Sequence, residues 1–252
     1  MHLIKTDKEI KKIAVAGKIL AATAKKLLSE VRVGLTLKEL DEMAFKFITE
    51  AGAKPAFLNY RPEGAKKPYP CSICASVNEV VVHGQPTSYS IKDGDVLKLD
   101  MGVLYDGWNA DAAWTIGVGR ISPEAKKLME VAKKALQLAI NECRPGKTLG
   151  DIGYVISRYV HRNGFFTLKG LTGHGIGQEL HEEPTVLNEG RRGEGKELRP
   201  GMVLAIEPMI AIGTDRIKQL ADESYATIDG SNTAHFEHTI AITEHGADIL
   251  TI

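Results

Sequence analysis

The sequence has no net charge. Its 32 lysines and arginines equal its 32 aspartates and glutamates over 252 residues, so no electrostatic surplus points to nucleic acid or to an anionic membrane. Long apolar runs are missing too. Nothing approaches the roughly 18 consecutive residues of a transmembrane helix, and the charged N-terminus MHLIKTDKEIKKIAVAG lacks a signal-peptide core. Cysteine is scarce, with three in all, an odd small number that suits a reducing cytoplasm better than a disulfide framework. Cys71 and Cys74 form one CxxC, but no second pair follows to complete a zinc site, and they read as incidental thiols. What remains is a chain long enough for a substantial core, ordinary in apolar and charged content, forming one large domain or two fused halves.

Helix starts are well marked. Thr6-Asp7-Lys8-Glu9 is a capping-box pattern opening a helix to about Glu30, with Ile10, Ile13, Ala14, Gly17, Leu20, Ala21 and Ala24 on one face. Thr36-Leu37-Lys38-Glu39 opens a second, ending near Gly52. A Pro- and Lys-rich loop spans 54–72, then a strand over Cys74–Val82 leads to His83-Gly84. Ser122-Pro123 starts a third helix to about Cys143, and Thr148-Leu149-Gly150-Asp151 a fourth that stops at Asn163-Gly164. A glycine-rich stretch, GHGIG (173–177), and strands around Val203–Glu207 and His235–Ile242 follow.

The stretch from Asp95 to Gly119 reads as a β-hairpin about Asp106-Gly107, a dipeptide that favours a tight type I′ turn. With that turn, Asp111 faces Gly102 and Asp100 faces Ala113, so the two aspartates are diagonal neighbours roughly 7–8 Å apart at Cα. Centring the turn on Tyr105-Asp106 would set them directly opposite, still on one face. Like charges that close persist mainly around a cation, or when one keeps a proton. On the hairpin alone, two surface aspartates would suffice.

The rest of the chain argues otherwise. VRVGLTL (31–37) matches CRPGKTL (143–149), and DGDVLKLD (93–100) matches PGMVLAIE (200–207), in the same order. This indicates an internal duplication, with halves of about 1–119 and 120–252. It sets Asp100 in register with Glu207, and a pseudo-twofold axis would bring both to a common centre.

The acidic and imidazole groups near those strand ends are Asp100, Asp111, His174, Glu207 and Glu237. Taken singly, His174 reads equally as a core histidine, Glu207 as a strand-end charge, and Glu237 as a partner of His235 or His238. As a set they are too acidic for a structural zinc site. They suit two divalent cations sharing ligands, the arrangement of co-catalytic hydrolases.

Six segments in order, SVNEVVVHG (76–84), the spaced Asp100 and Asp111, GHGIG (173–177), LHEEPTV (180–186), LAIEPMI (204–210) and HFEHTIAIT (235–243), resemble the type I methionine aminopeptidases over nearly the whole chain. The resemblance implies one α+β domain of the pita-bread fold: pseudo-twofold halves, a curved antiparallel sheet and outer helix pairs. It implies a hydrolase that removes N-terminal methionine from nascent polypeptides, favouring a small second residue. Asp111 and Glu237 would bridge two metal ions, Asp100 would hold one, and His174 with Glu207 the other. A bridging water would attack the scissile carbonyl with Glu207 as general base. His181 would stabilise the intermediate, and His83 would donate to the scissile amide nitrogen.

By the same resemblance the methionine pocket maps onto Tyr60, Tyr69 and Cys74, with Leu180 where the family usually has Phe and Tyr225 as the covering aromatic residue. Residues 61–67 look like an insertion, and Asn109-Ala110-Asp111-Ala112 replaces the family's His-Gly-Asp-Thr/Ser. The metals would be Co, Mn, Fe or Zn. The protein would be a cytoplasmic monomer working near the ribosome, with no nucleic-acid or membrane partner.

Proline-specific Xaa-Pro aminopeptidases or dipeptidases share the fold and ligands, and the Asp-Met-Gly of the hairpin matches their spacing. They normally carry an extra N-terminal domain, whereas this chain begins at the first helix. A non-catalytic binding module of the same fold would be expected to lose ligands, and all five are here.

Overall fold

The computed structural model describes residues 3–61 and 64–252. The first two residues and Pro62-Glu63, part of the expected insertion, lie outside the described residues.

Helices begin where a side chain can hold their free N–H groups. Thr6 caps α1 (Asp7–Glu30) and Thr36 caps α2 (Leu37–Glu50), each in a reciprocal box with a glutamate three residues on. Ser122 caps α3 (Pro123–Glu142), with Pro123 at the first helical position. Thr148 caps α4 (Leu149–Arg162) in a box with Asp151. Each such cap is worth about 1 kcal/mol. The buried stripe of α1 is Ile13, Ala16, Gly17, Leu20, Thr23, Ala24 and Leu27. It is rotated from the sequence expectation, because Ile10, Ala14 and Ala21 lie at its border, only partly covered. Gly17 is there for space: a methyl group would collide with the Leu250 carbonyl.

The strands in chain order are β1 (Lys54–Pro55), β2 (Cys74–Val77), β3 (Val80–Val82), β4 (Val96–Tyr105), β5 (Trp108–Gly117), β6 (Phe166–Thr167), β7 (Thr172–Gly175), β8 (Glu182–Leu187), β9 (Val203–Ile206), β10 (Met209–Ala211), β11 (Ile217–Gln219), β12 (Tyr225–Thr227), β13 (Thr233–His235), β14 (His238–Thr243) and β15 (Gly246–Ile249). All named pairings are antiparallel, among them β4 with β1, β2 and β5, and β15-β14-β9-β7-β8. Two strands expected as continuous are broken. The run 74–82 turns at Asn78, whose φ is 52°. The strand expected over Val203–Glu207 is present as Val203–Ile206, and Pro208, which offers no N–H to the ladder, separates it from β10. The strand expected over His235–Ile242 breaks at Phe236-Glu237. The Lys-rich loop also contributes β1, paired with Val103 and Leu104.

The two halves repeat each other pairing by pairing. Thr36 bridges Ser90 as Thr148 bridges Glu197, and Lys54 pairs with Leu104 as Phe166 pairs with Ala211. In both cases the first partner is shifted by 112 residues (36 to 148, 54 to 166) and the second by 107 (90 to 197, 104 to 211). Each half has its own core. Leu20, Leu27, Leu40 and Ile48 of α1 and α2 pack on Leu97, Leu99 and Ala112. Leu128, Leu136, Ile152 and Ile156 of α3 and α4 pack on Leu204, Ile206 and Ile240. Ile13, Trp108, Ile176 and Val203 join the two.

Candidate metal centre

The hairpin turns at Asp106 (φ 48°) and Gly107 (φ 78°), which makes Tyr105 and Trp108 partners and fixes the diagonal register. Asp100 then lies between Cys74 on β2 and Ala113 on β5, and Asp111 opposite Gly102. Glu207 lies between β9 and β10, and Glu237 between β13 and β14. The Glu237 N–H donates to Ala113 O at 3.0 Å, which ties the second half to β5. His174 stands on β7 opposite Ala205.

These five side chains converge. His174 Nε2 is 3.5 Å from Glu207 Oε1 and 4.0 Å from Asp111 Oδ2, and Asp111, His174 and Glu237 each present an atom within 4.8 Å of the others'. Burial raises every carboxylate: Asp100 to about 7, Glu207 to about 7, and Asp111 and Glu237 well above the usual range. The negative charges of Asp100 and Glu207 add to the effect at Asp111, and that of Asp111 adds to it at Glu237. His174 opposes it at Glu207.

Asp100 Oδ1, Asp111 Oδ1 and Glu237 Oε1 are buried without a hydrogen-bond partner, a costly state for an acceptor. Oxygen acceptors without donors, repelling one another in a buried space with one imidazole, fit divalent cations.

Two more histidines stand beside this cluster. The rings of His174 and His181 meet edge to face at 4.4 Å, and His181 Nδ1 lies 2.8 Å from the Tyr60 hydroxyl. His181 is exposed, but the protein packed around its ring desolvates it and lowers its pKa to about 3, with His174 and His83 contributing. His83, at φ 59°, is likewise exposed, and desolvation by the surrounding protein followed by the charge of His235 lowers its pKa to about 4.

Of the pocket residues, Tyr60, Tyr69, Cys74 and Leu180 pack in one cluster with Phe57. The Tyr69 hydroxyl donates to Ile73 O and Gly84 O at 3.0 Å each. Tyr225 belongs to a different cluster with Val82 and Met209, and meets His83 edge to face at 5.8 Å. His238 turns away from the carboxylates, its Nδ1 2.8 Å from Thr251 Oγ1. All three cysteines are free thiols. An open surface cleft of about 500 Å³, lined by His161, Phe166, Lys169 and Asp215 among others, shares no residue with this centre.

Sequence reasoning gave no role to Phe57, Thr115 or Thr239, and treated His235 only as a possible partner of Glu237. Phe57 stacks edge to face on Tyr69 and covers Gly102. Thr239 Oγ1 holds both the N–H and the C=O of Asp111. His235 is 1% exposed, with Nε2 at 3.3 Å from Glu207 Oε2. The doubled histidine of HFEH was the one local signal for the last; contacts between distant strands leave none for the others.

Comparison with known proteins agrees over the whole length. The model of metallopeptidase family M24 matches residues 11–244. Methionine aminopeptidase 1 of Bacillus subtilis is 44% identical over 252 residues, covering 100% of this chain and 99% of the relative. The methionine aminopeptidase of Aquifex aeolicus is 43% identical, covering 98% and 97%. Among solved structures, methionine aminopeptidase from Rickettsia prowazekii superposes with a TM-score of 0.95 at 38% identity, covering 100% of both chains. The prolidase from Pyrococcus horikoshii gives 0.80 at 26%, covering 99% of this chain but 63% of its own.

Proposed function

We propose that this chain, which belongs to metallopeptidase family M24 and has its pita-bread fold, is a metal-dependent methionine aminopeptidase. It removes the N-terminal methionine of nascent polypeptides and favours a small second residue. The observation that carries the chemistry is the convergence of four carboxylates, three of them on buried residues and Asp100 half-buried, and one imidazole, with three unpartnered oxygens. Relatives named methionine aminopeptidase, 44% and 43% identical over nearly the whole chain, carry the substrate.

Asp100, Asp111, His174, Glu207 and Glu237 would hold the two divalent ions in this reading. Co, Mn, Fe and Zn all suit such ligands. When bound, the ions supply Lewis acidity to the scissile carbonyl and make a water nucleophilic at neutral pH. Glu207 takes the proton of the attacking water on its carboxylate and passes it to the departing amine. Tyr60 donates to His181 Nδ1, which leaves Nε2–H to donate to the developing oxyanion. With a pKa lowered to about 3, His181 is neutral at pH 7, so Nδ1 is free to accept. His83 donates to the scissile amide nitrogen from the other side. The methionine side chain enters among Tyr60, Tyr69, Cys74 and Leu180, with Tyr225 at the edge.

The same reading has the whole chain as one catalytic domain with halves of about 1–119 and 120–252. It works as a cytoplasmic monomer on chains leaving the ribosome. Among the described residues, no helix is long and apolar enough to cross a membrane.

The test is to strip the protein of metal and restore Mn, Fe, Co or Zn in turn. Met-Gly-Met-Met and an Ala-Pro peptide are then offered. Metal-dependent release of methionine, absent in Asp111→Ala, is the expected result. Preference for Ala-Pro would transfer the chain to the proline-specific branch, which the prolidase likeness keeps as second reading. No cleavage with any metal would sink both.

A further inference from the structure

His235 holds the place in the second half that Asp111 holds in the first. Asp111 pairs with Gly102 across the hairpin, and His235 pairs with Met209. Gly102 and Met209 stand at the same 107-residue offset as the other strand partners (102 to 209). The backbone bonds agree. Thr239 Oγ1 accepts from Asp111 N and donates to Asp111 O, and Thr115 Oγ1 accepts from His235 N and donates to His235 O. Thr115 and Thr239, like Asp111 and His235, are separated by 124 residues (115 to 239, 111 to 235). The pseudo-twofold axis that aims Asp111 at the centre therefore aims His235 at it from the opposite side.

We propose that His235 is a sixth protein ligand, giving the centre a second imidazole on the Glu207–Glu237 side. The inference rests on the metal centre described above. Its first support is the ring itself: 1% exposed, with neither Nδ1 nor Nε2 hydrogen-bonded. A histidine serving only the core would have a partner on at least one nitrogen.

Its second support is spacing. Nε2 is 3.3 Å from Glu207 Oε2 and 3.9 Å from Glu237 Oε2. His174 Nε2, whose ligand role the reading already includes, is 3.5 Å and 4.0 Å from its two carboxylate oxygens. Donors bound to one cation at roughly 2.0–2.2 Å sit about 3–3.5 Å apart. Glu207 thus lies between two imidazoles, with one oxygen turned to each. A hydrogen bond from Nε2–H to Glu207 would fit the shorter distance, but the direction does not meet it and Nδ1 would stay buried without a partner. A second nitrogen donor shifts metal preference towards Zn, Co and Fe over Mn.

Protein labelled with ¹⁵N-histidine and loaded with ¹¹³Cd reads the ligands directly by NMR, without activity. Two imidazoles coupled to cadmium are expected, one lost in His174→Gln and the other in His235→Gln. The His235→Gln protein should also bind zinc at least about tenfold more weakly. One coupled imidazole, lost in His174→Gln and kept in His235→Gln, overturns the assignment and leaves the metal centre standing. No coupling in any histidine overturns both. Because the wild-type spectrum alone distinguishes two from one, a variant that fails to fold does not blunt the result.

Discussion

Thr115 and Thr239 make the same pair of backbone bonds on opposite sides of the centre. Each hydroxyl accepts an N–H at 2.9 Å and donates to the C=O of the same residue in the other half, His235 for Thr115 and Asp111 for Thr239. The two halves are therefore fastened to each other at the residues whose side chains face the site. The backbone positions of Asp111 and His235, and part of the contact between the halves, rest on the same four bonds.

Replacing either threonine by valine keeps its shape and removes the hydroxyl. A buried N–H and C=O then lose their partner, which costs about 1–3 kcal/mol. Thr239→Val should lower stability in urea by that amount and weaken zinc binding, because the Asp111 backbone is no longer held. Thr239→Ser should recover most of both. Equal metal affinity in wild type and Thr239→Val would show that the clamp does not position Asp111.

Metal-free protein should become more stable when one carboxylate is removed. Burial and neighbouring charges raise Asp111 and Glu237 well above the usual range. A folded-state pKa above the unfolded value means that the folded state binds the proton more tightly. The resulting stability is present below about pH 4 and is lost as pH rises through the folded-state values, about 7 for Asp100 and Glu207. Neutral His83 and His235, each lowered to about 4, act in the opposite sense. They lose stability as pH falls from about 6.5. The difference between wild type and Asp111→Asn isolates the carboxylates. The variant should melt higher than wild type at pH 7.5 without metal, the gap should shrink towards pH 5, and metal should no longer raise its Tm as it does that of wild type. An Asp111→Asn protein that melts lower than wild type at pH 7.5 would contradict a repulsive metal-free cluster.

Most of this framework was readable because its causes are local. Three threonines with an acidic residue three positions on start helices here, and Asp106-Gly107 fixes a register by backbone conformation alone. The duplication was visible because the same stretches recur in order, and the β1 and β6 pairings repeat at its offsets. What escaped depends on distant contacts. Thr115 meets His235 across 120 residues and Thr239 meets Asp111 across 128. Neither threonine differs in its neighbours from any strand threonine. The strand breaks at Asn78 and Glu237 were missed for a related reason: apolar runs on both sides continue the pattern through them.

Tyr60→Phe isolates the orientation of His181. It removes the hydroxyl at 2.8 Å from Nδ1 but keeps the ring that meets His181 edge to face at 5.1 Å. The imidazole can then carry its proton on either nitrogen, so only part of the population presents Nε2–H to the oxyanion. A fall in kcat of about tenfold is expected, against about 10²–10³ for loss of an oxyanion donor altogether. KM should change little, since the methionine pocket keeps its ring. A rise in KM with unchanged kcat would assign Tyr60 to side-chain binding alone.

Gly102 tests how far the hairpin depends on the pocket wall. It pairs with Asp111, and a methyl group there would lie 2.7 Å from Phe57 Cε1 and 2.9 Å from Ala56 Cβ. Phe57 cannot retreat freely, because its ring also packs against Tyr69. The overpacking in Gly102→Ala should cost about 1–3 kcal/mol, read as a lower urea midpoint. Truncating the obstacle gives the discriminating experiment. In Gly102→Ala with Phe57→Leu the contact with the ring is relieved while that with Ala56 Cβ stays, so the double variant should be more stable than the sum of the single losses predicts. Strict additivity would mean that strand β4, rather than Phe57, gives way to the methyl group, and that the wall does not set the position of Asp111.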